Sequence, residues 1–266
     1  AIAGAIKDTK ALGTIYAINT TGAVLGVLLS SFWWMPALGI RGTELLAAGL
    51  SALVAVCAIS MARKAPKKHP NREQENTSIP FRVLLAAGVA GAGAMALEII
   101  WSRLAALLIG GSVYAMAIVL AVFLIGVAIG AEWGRRLGSQ ALAPALGALG
   151  ILAVAGTISW RVLPHGLALF WAIAGDGSQL FAGVVLLSIA MAGAPIASGI
   201  VFSACLQAAP KCRPEDITGQ VLGANTIGGV LGVLLTGTLG MPLLGIRGVV
   251  LLIAVLTMSY ALFLPS

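Results

Sequence analysis

A 34-residue segment occurs twice in this chain, and the duplication limits the folds that the chain can adopt. Residues 13–46 return as residues 219–252 at an offset of 206, and 19 of the 34 positions are identical. The shared positions include a Met-Pro pair followed, one residue later, by Leu-Gly-Ile-Arg-Gly. Duplicated apolar segments of this kind are typical of membrane folds that are built from internal repeats.

The composition points to the same environment. The 266 residues are 59% hydrophobic and only 9% charged, which is too apolar for a water-soluble core. A span needs about 20 mostly apolar residues to cross a hydrocarbon core of about 30 Å. We therefore predict an all-α membrane protein whose first partner is the lipid bilayer. Its eight predicted spans, A to H, are 12–35, 43–62, 82–109, 112–134, 141–162, 179–207, 219–241 and 245–264.

Charge sets the predicted topology. Residues 63–80 are expected to form a basic linker between residues 1–62 and 81–266. Placing this linker in the cytoplasm puts twelve of the sixteen Lys and Arg residues inside, which satisfies the positive-inside rule. Both chain ends are then cytoplasmic, and the expected location is the inner (plasma) membrane. The net charge of +7 is spread over short loops and forms no aromatic-interleaved patch, so a nucleic-acid partner is not predicted.

The positions of the two copies predict how the repeat is arranged. Five spans, B to F, separate span A from span G, so both copies run through the membrane in the same direction. This is the parallel repeat that relates the two halves of a major-facilitator-type bundle. Residues 81–266 would then form a six-helix second half, and residues 1–62 the last two helices of a first half. The other four helices of that half are expected outside these 266 residues.

Two charged residues lie inside span C. Glu98 and Arg103 are five positions apart, about 140° around a helix, so a direct pair between them is poor. A charge in the hydrocarbon is costly and tends to face a cavity or a partner, which makes both residues, with Trp101 between them, candidate substrate-binding groups. The alternative is that Arg103 extends to the outer interface while a buried Ser or Trp satisfies Glu98.

Asn19 and Asn225 occupy equivalent positions in the two copies and are also candidate substrate-binding residues. Facing one another, the two amides would line a polar cavity. The structural alternative, hydrogen bonds across neighbouring helices, is favoured, and each such bond contributes about 1 kcal/mol.

Other motifs predict structure more than chemistry. Small-residue faces are expected at tight helix crossings, Pro195 predicts a kink, and residues 166–175 are too short to span and are expected in the interface. The Gly91-x-Gly93 pair lacks the strand that a dinucleotide fingerprint requires, so no cofactor is predicted. The cysteines have neither disulfide nor metal-ligand spacing. The small-residue faces are Gly22 with Gly26, Gly228 with Gly232, and Gly126 with Gly130 and Gly134; the cysteines are Cys57, Cys205 and Cys212.

Four segments carry a family resemblance. They are Ala-Leu-Glu-Ile-Ile-Trp-Ser-Arg at 96–103, Gly-Gly-Ser-Val-Tyr-Ala at 110–115, the apolar run 119–130, and Gly-Ala-Asn-Thr-x-Gly at 223–228. With both repeat copies, they resemble the membrane domain of fused spermidine synthase-like proteins. In that family a major-facilitator-like helical region precedes a cytoplasmic aminopropyltransferase domain. The resemblance covers spans A to D, G and H.

The resemblance implies a connection to polyamines and leaves two hypotheses. Its transferase chemistry belongs to a soluble synthase domain, so no catalytic residue and no metal site are predicted in this chain. The first hypothesis is a module for polyamine transport or channelling, in which the polar residues of spans A, C and G meet a cationic substrate. The second is a scaffold or accessory subunit of a larger membrane complex. The expected absence of four helices favours the second, because alternating access needs two complete halves.

Overall fold

The fold consists of helices. A computed structural model describes residues 9–64, 79–110, 113–174, 179–208 and 214–264, and none of these residues lies in a β-strand. The predicted all-α class is confirmed for this part of the chain, whereas most of the predicted linker falls outside it. The α-helices are α1 Thr9–Leu29, α2 Met35–Lys64, α3 Phe81–Ile109, α4 Val113–Leu137, α5 Leu142–Ser159, α6 Leu163–Ala174, α7 Gln179–Met191, α8 Gly193–Gln207, α9 Pro214–Leu235 and α10 Met241–Phe263.

The chain divides into two compact units. Unit 1 is Ala1–Asn76 and contains α1 and α2, and unit 2 is Thr77–Ser266 and contains α3 to α10. The first copy of the repeat lies in unit 1 and the second lies in unit 2. Each unit therefore contains one copy of the repeat, and the neighbours of the two copies can be compared.

Several helices are long and apolar enough to cross a membrane. Among the described residues there are five such segments, or six if the bent pair α7 and α8 is one span. The chain therefore has the helices of a multi-pass membrane protein, and the number eight stays a prediction. The five segments are Ile18–Met61, Phe81–Leu108, Val113–Leu137, Ser139–Ser159 and Asp216–Phe263.

The first and last of these segments share an unusual backbone. They contain 44 and 48 residues, which as straight helices would extend about 65 to 70 Å, more than twice the hydrocarbon thickness. Each has a π-helical turn, Ser30–Trp34 or Thr236–Gly240, and then a glycine that leaves the helical conformation. Gly39 has φ 69° and ψ 178°, and Gly245 has φ 67° and ψ 175°. Each segment thus breaks at the glycine of its Leu-Gly-Ile-Arg-Gly stretch, in a conformation that residues with a side chain rarely adopt.

A proline explains the break between α7 and α8. The two helices meet at Ala192 with a bend of 43°. Pro195 lies three residues after Ala192. It has no N–H to donate to the carbonyl of Met191, and its ring clashes with that carbonyl. The kink predicted within residues 179–207 is confirmed.

Unit 2 is held together by close helix crossings. The most extensive contacts pair α3 with α9, α4 with α8, and α5 with α10. In the α4–α8 pair, a methyl group added to Gly130 would collide with the carbonyl oxygen of Ile196, and one on Gly199 would collide with that of Val127. The small-residue face predicted on α4 is therefore a real crossing. In lipid such faces matter because close backbone approach supplies the van der Waals contacts that drive association.

Unit 1 is a hairpin whose arms are separated by a cleft. The chain turns at Gly39, and residues of α1 and α2 line opposite walls of a cleft of about 580 Å³. Within the described part of the chain, nothing lies within 4 Å of a methyl group added to Gly22 or Gly26. The crossing predicted for this small-residue face is not found in unit 1. The lining residues are Gly22, Ala23, Leu25, Gly26, Val27, Leu29, Ser30, Trp34, Thr43, Ala47 and Leu50.

Candidate functional site

The three candidate residues of α3 have different surroundings. Glu98 is half-buried, Trp101 is fully buried, and Arg103 is exposed near the C-terminal end of the helix. Among the described residues, no ion pair or hydrogen bond involves Glu98 or Arg103. The pair predicted to be poor is therefore not formed, and the exposure of Arg103 fits the alternative in which it extends to the interface.

Trp101 belongs to the core of unit 2. Its ring packs on Phe123 of α4, with ring centroids 5.6 Å apart. It also lies against Gly156 of α5, where an added methyl group would be 3.0 Å from the indole ring. The indole N–H groups of Trp101 and Trp160 are both buried and have no hydrogen-bond partner in the described structure. Trp101 is thus enclosed by protein, and its role in substrate binding stays a prediction.

Asn225 lies at the crossing of α3 and α9. It is half-buried, and a methyl group added to Gly91 would collide with its carbonyl oxygen and lie 2.8 Å from its Oδ1. The amide therefore borders another helix. Gly91 and Gly93 are likewise helical residues at helix crossings, since a methyl group on Gly93 would be 3.2 Å from Ile253 of α10. They have the packing role that the sequence favoured over a dinucleotide site.

Asn19 lies in α1 of unit 1 and is exposed. It is outside the residues that line the cleft between α1 and α2. That cleft is apolar apart from the hydroxyls of Ser30 and Thr43 and the indole of Trp34. Both hydroxyls already donate hydrogen bonds to their own helix, to the carbonyls of Val27 at 3.0 Å and Gly39 at 2.9 Å. The described lining of the cleft therefore presents no carboxylate to a small cationic ligand.

Three cross-helix hydrogen bonds at the ends of helices were not predicted. The Tyr260 hydroxyl donates to the carbonyl of Arg82 at 2.9 Å, and the Gln207 amide donates to that of Gly134 at 3.0 Å. The Cys205 thiol lies 3.6 Å from the carbonyl of Val83. These bonds join α3 to α10, α4 to α8, and α3 to α8. Their backbone acceptors leave no trace in the pattern of side chains, so sequence reasoning had no signal for them.

A local ion-pair cluster ends α4. Glu132 accepts two hydrogen bonds from Arg135 at 2.8 Å and one from Arg136 at 2.9 Å, and all three side chains are exposed. The spacings of three and four residues are those at which helix side chains meet, so the sequence did contain this signal. Exposed pairs of this kind contribute little to stability, because water and salt screen the attraction. The cluster places two cations at one end of a span.

Metal chemistry has no visible basis in the described residues. They contain no group of three or more His, Cys, Asp or Glu side chains placed to hold a metal ion. Cys57 is exposed on α2, Cys205 is buried in α8, and Cys212 lies outside the described residues. Within the described ranges, the arrangement offers helix-packing surfaces and one half-buried carboxylate, that of Glu98.

Comparison with known proteins gives no match. No protein family, no curated protein and no solved structure matches this sequence.

Proposed function

We propose that this chain is an integral-membrane scaffold module, an accessory subunit that holds other membrane helices. The observation that carries the proposal is the open, apolar cleft of unit 1. A polyamine would need carboxylates or free carbonyls, whereas no carboxylate lies among the residues that line the cleft, and the two hydroxyls there already bond their own backbone. Small residues at lipid-exposed helix faces serve helix association.

The proposed topology has eight spans. It counts the two long segments as two spans each, divided at Gly39 and Gly245, and α7 with α8 as one. The two copies then form a parallel repeat, with the chain ends in the cytoplasm. Support comes from the hydrogen bonds of Tyr260 and Gln207, because each joins helix ends that the charge rule puts on the cytoplasmic side.

Thiol labelling tests this topology. Single cysteines at Leu137 and Val162, which are both exposed, are introduced in a chain whose own cysteines are replaced. An impermeant maleimide should label the first only from the cytoplasmic side and the second only from the outer side. Labelling of both from one side would contradict the eight-span arrangement.

The scaffold proposal is tested by the composition of the native particle. The chain is extracted from the membranes of its own cells in mild detergent, and the intact particle is weighed by native mass spectrometry. The expected mass is that of the chain together with at least one other membrane polypeptide. A particle with the mass of one chain would contradict the proposal.

A second candidate function is polyamine transport or channelling, favoured by Glu98. This half-buried carboxylate lies in the middle of a membrane helix, where an acid without a described partner is a default functional residue. The test is uptake of radiolabelled spermidine into vesicles. Glu98→Gln should abolish uptake, while Glu44→Gln, at an exposed position of α2, should not. Equal uptake of spermidine by both variants would contradict the proposal that transport depends on Glu98.

We also propose that the chain is the membrane part of a spermidine synthase-like protein. The support is the resemblance of residues 96–103, 110–115, 119–130 and 223–228 to that family. The full-length reading frame tests it. The proposal expects four further spans and a soluble synthase domain to be encoded with these residues, and fails if neither is present.

A further inference from the structure

The cleft of unit 1 has an occupied counterpart in unit 2. The offset of 206 relates the walls of this cleft to α9 and α10, and four of the corresponding residues contact α3. The pairs are Gly22 with Gly228, Ala23 with Gly229, Gly26 with Gly232, and Ala47 with Ile253. Helix α3 therefore lies in unit 2 where unit 1 has open space.

The contacts in unit 2 show what such a cleft accepts. Methyl groups added to Gly228 and Gly232 would collide with the backbone of α3 at Gly88 and Ala92. A methyl group on Gly229 would lie 3.0 Å from the side chain of Met95. Helix α3 also reaches α10 through Gly93. Apart from Met95, its contacting ridge thus consists of small residues, which allow the two backbones to touch.

Within the described part of unit 1, the equivalent surface is not covered by another helix. Gly22 is exposed and Gly26 is half-buried, whereas Gly228 and Gly232 are both buried. In lipid, a helix face gains little by burying apolar area, and its association depends on close van der Waals packing. A small-residue face between two splayed arms is a shape that another helix fills better than mobile lipid chains.

We propose that the cleft between α1 and α2 binds one transmembrane helix that presents small residues at the spacing of Gly88, Gly91 and Ala92. This inference deepens the proposed scaffold function and rests on it. Helices α3 and α4 of a second copy are not the occupant, because their small-residue ridges are already packed within unit 2. The ridge of α3 packs on α9, and that of α4 packs on α8. The partner is a helix of the same chemistry from another membrane segment.

Energy transfer in lipid vesicles tests the inference. The full chain, with Cys212→Ser, carries a donor dye on Cys57, which is exposed, while Cys205 is buried. The probe is a synthetic peptide of residues 81–109 with an acceptor dye at its N-terminus. We expect saturable transfer that falls at least tenfold in apparent affinity with Gly22→Leu and Gly26→Leu together. Neither substitution meets a described atom within 4 Å, so the chain itself should fold normally.

Two matched controls isolate the small-residue contact. Gly49→Leu also adds a side chain in open space on α2, but outside the cleft, and should leave transfer unchanged. A peptide whose Gly88, Gly91 and Ala92 are leucines should not bind. Equal transfer in all variants, or no saturable transfer with the natural sequence, would overturn the inference.

A third arm tests self-association. Donor-labelled and acceptor-labelled chains are mixed without peptide. Transfer that Gly22→Leu and Gly26→Leu abolish would make a second copy the occupant and overturn the proposal. This result can be distinguished from that of the scaffold test. If the native particle is heavier than one chain but the peptide does not bind, the proposal of a helix-binding cleft is rejected and the proposed scaffold function is kept.

Discussion

The two copies of the repeat have the same local backbone and different neighbours. Both contain a π-helical turn and a glycine near φ 70°, at positions related by the offset of 206. In unit 2 the small-residue face is buried against α3, and in unit 1 the same face borders an open cleft. The comparison teaches that the shape of the hairpin is local, while its packing depends on what lies beside it.

The largest expected difference between the copies is at their equivalent glycines. Gly228→Leu forces α9 away from the backbone of α3 and should lower the free energy of unfolding of unit 2 by about 3 kcal/mol or more. Gly22→Leu should change that of unit 1 by less than about 0.5 kcal/mol. Fluorine NMR of 5-fluorotryptophan during denaturant titration can follow Trp34 in unit 1 and Trp101 in unit 2. Equal losses of unfolding free energy in the two units would contradict the proposed difference in packing between the two copies.

The turns should respond alike in both copies. Gly39→Ala and Gly245→Ala place a side chain in a conformation that is nearly restricted to glycine, at a cost of about 1 to 3 kcal/mol each. No described atom lies within 4 Å of either added methyl group, so the strain is confined to the backbone. The same fluorine signals measure both losses. Costs that differ by more than about 1 kcal/mol would show that tertiary contacts hold one of the turns.

The smallest expected effect concerns one hydroxyl. Tyr260→Phe removes the hydrogen bond to the carbonyl of Arg82 and should cost unit 2 about 0.5 to 1.5 kcal/mol. The offset of 206 relates Tyr260 to Val54, which follows the first copy in α2 and is 65% exposed. Val54→Tyr should not stabilise unit 1, because it gains no described acceptor. If Val54→Tyr raised the free energy of unfolding of unit 1 by as much as Tyr260→Phe lowers that of unit 2, the new hydroxyl would have found a hydrogen-bond acceptor near α2.

Much of the helical framework could be predicted from the sequence. The apolar runs predicted the helices, and Pro195 predicted a kink, which the structure shows as a bend of 43°. The repeated Leu-Gly-Ile-Arg-Gly segments lie where one span was predicted to end and the next to begin, and the backbone breaks there at a glycine. These features depend on residues close in the chain. The π-helical turns were not predicted, because Ser30–Trp34 and Thr236–Gly240 have no residue in common at equivalent positions.

The candidate site was less accessible to sequence reasoning. The small-residue faces on α4 and α9 are crossings, while that on α1 is open, although α1 and α9 share the same glycine spacing. Spacing alone cannot tell which face has a neighbour. Likewise, the position of Glu98 in the chain predicted a membrane depth, but its half-burial depends on helices that are distant in sequence.

The conformation of Gly39 has a consequence for association. Because the backbone conformation of Gly39 itself turns the chain, α1 and α2 are already positioned before a partner helix binds. A preorganised receptor loses little conformational entropy on association. Encounter in the membrane plane should then resemble rigid-body docking, with an association rate limited by lateral diffusion and orientation more than by rearrangement of this chain.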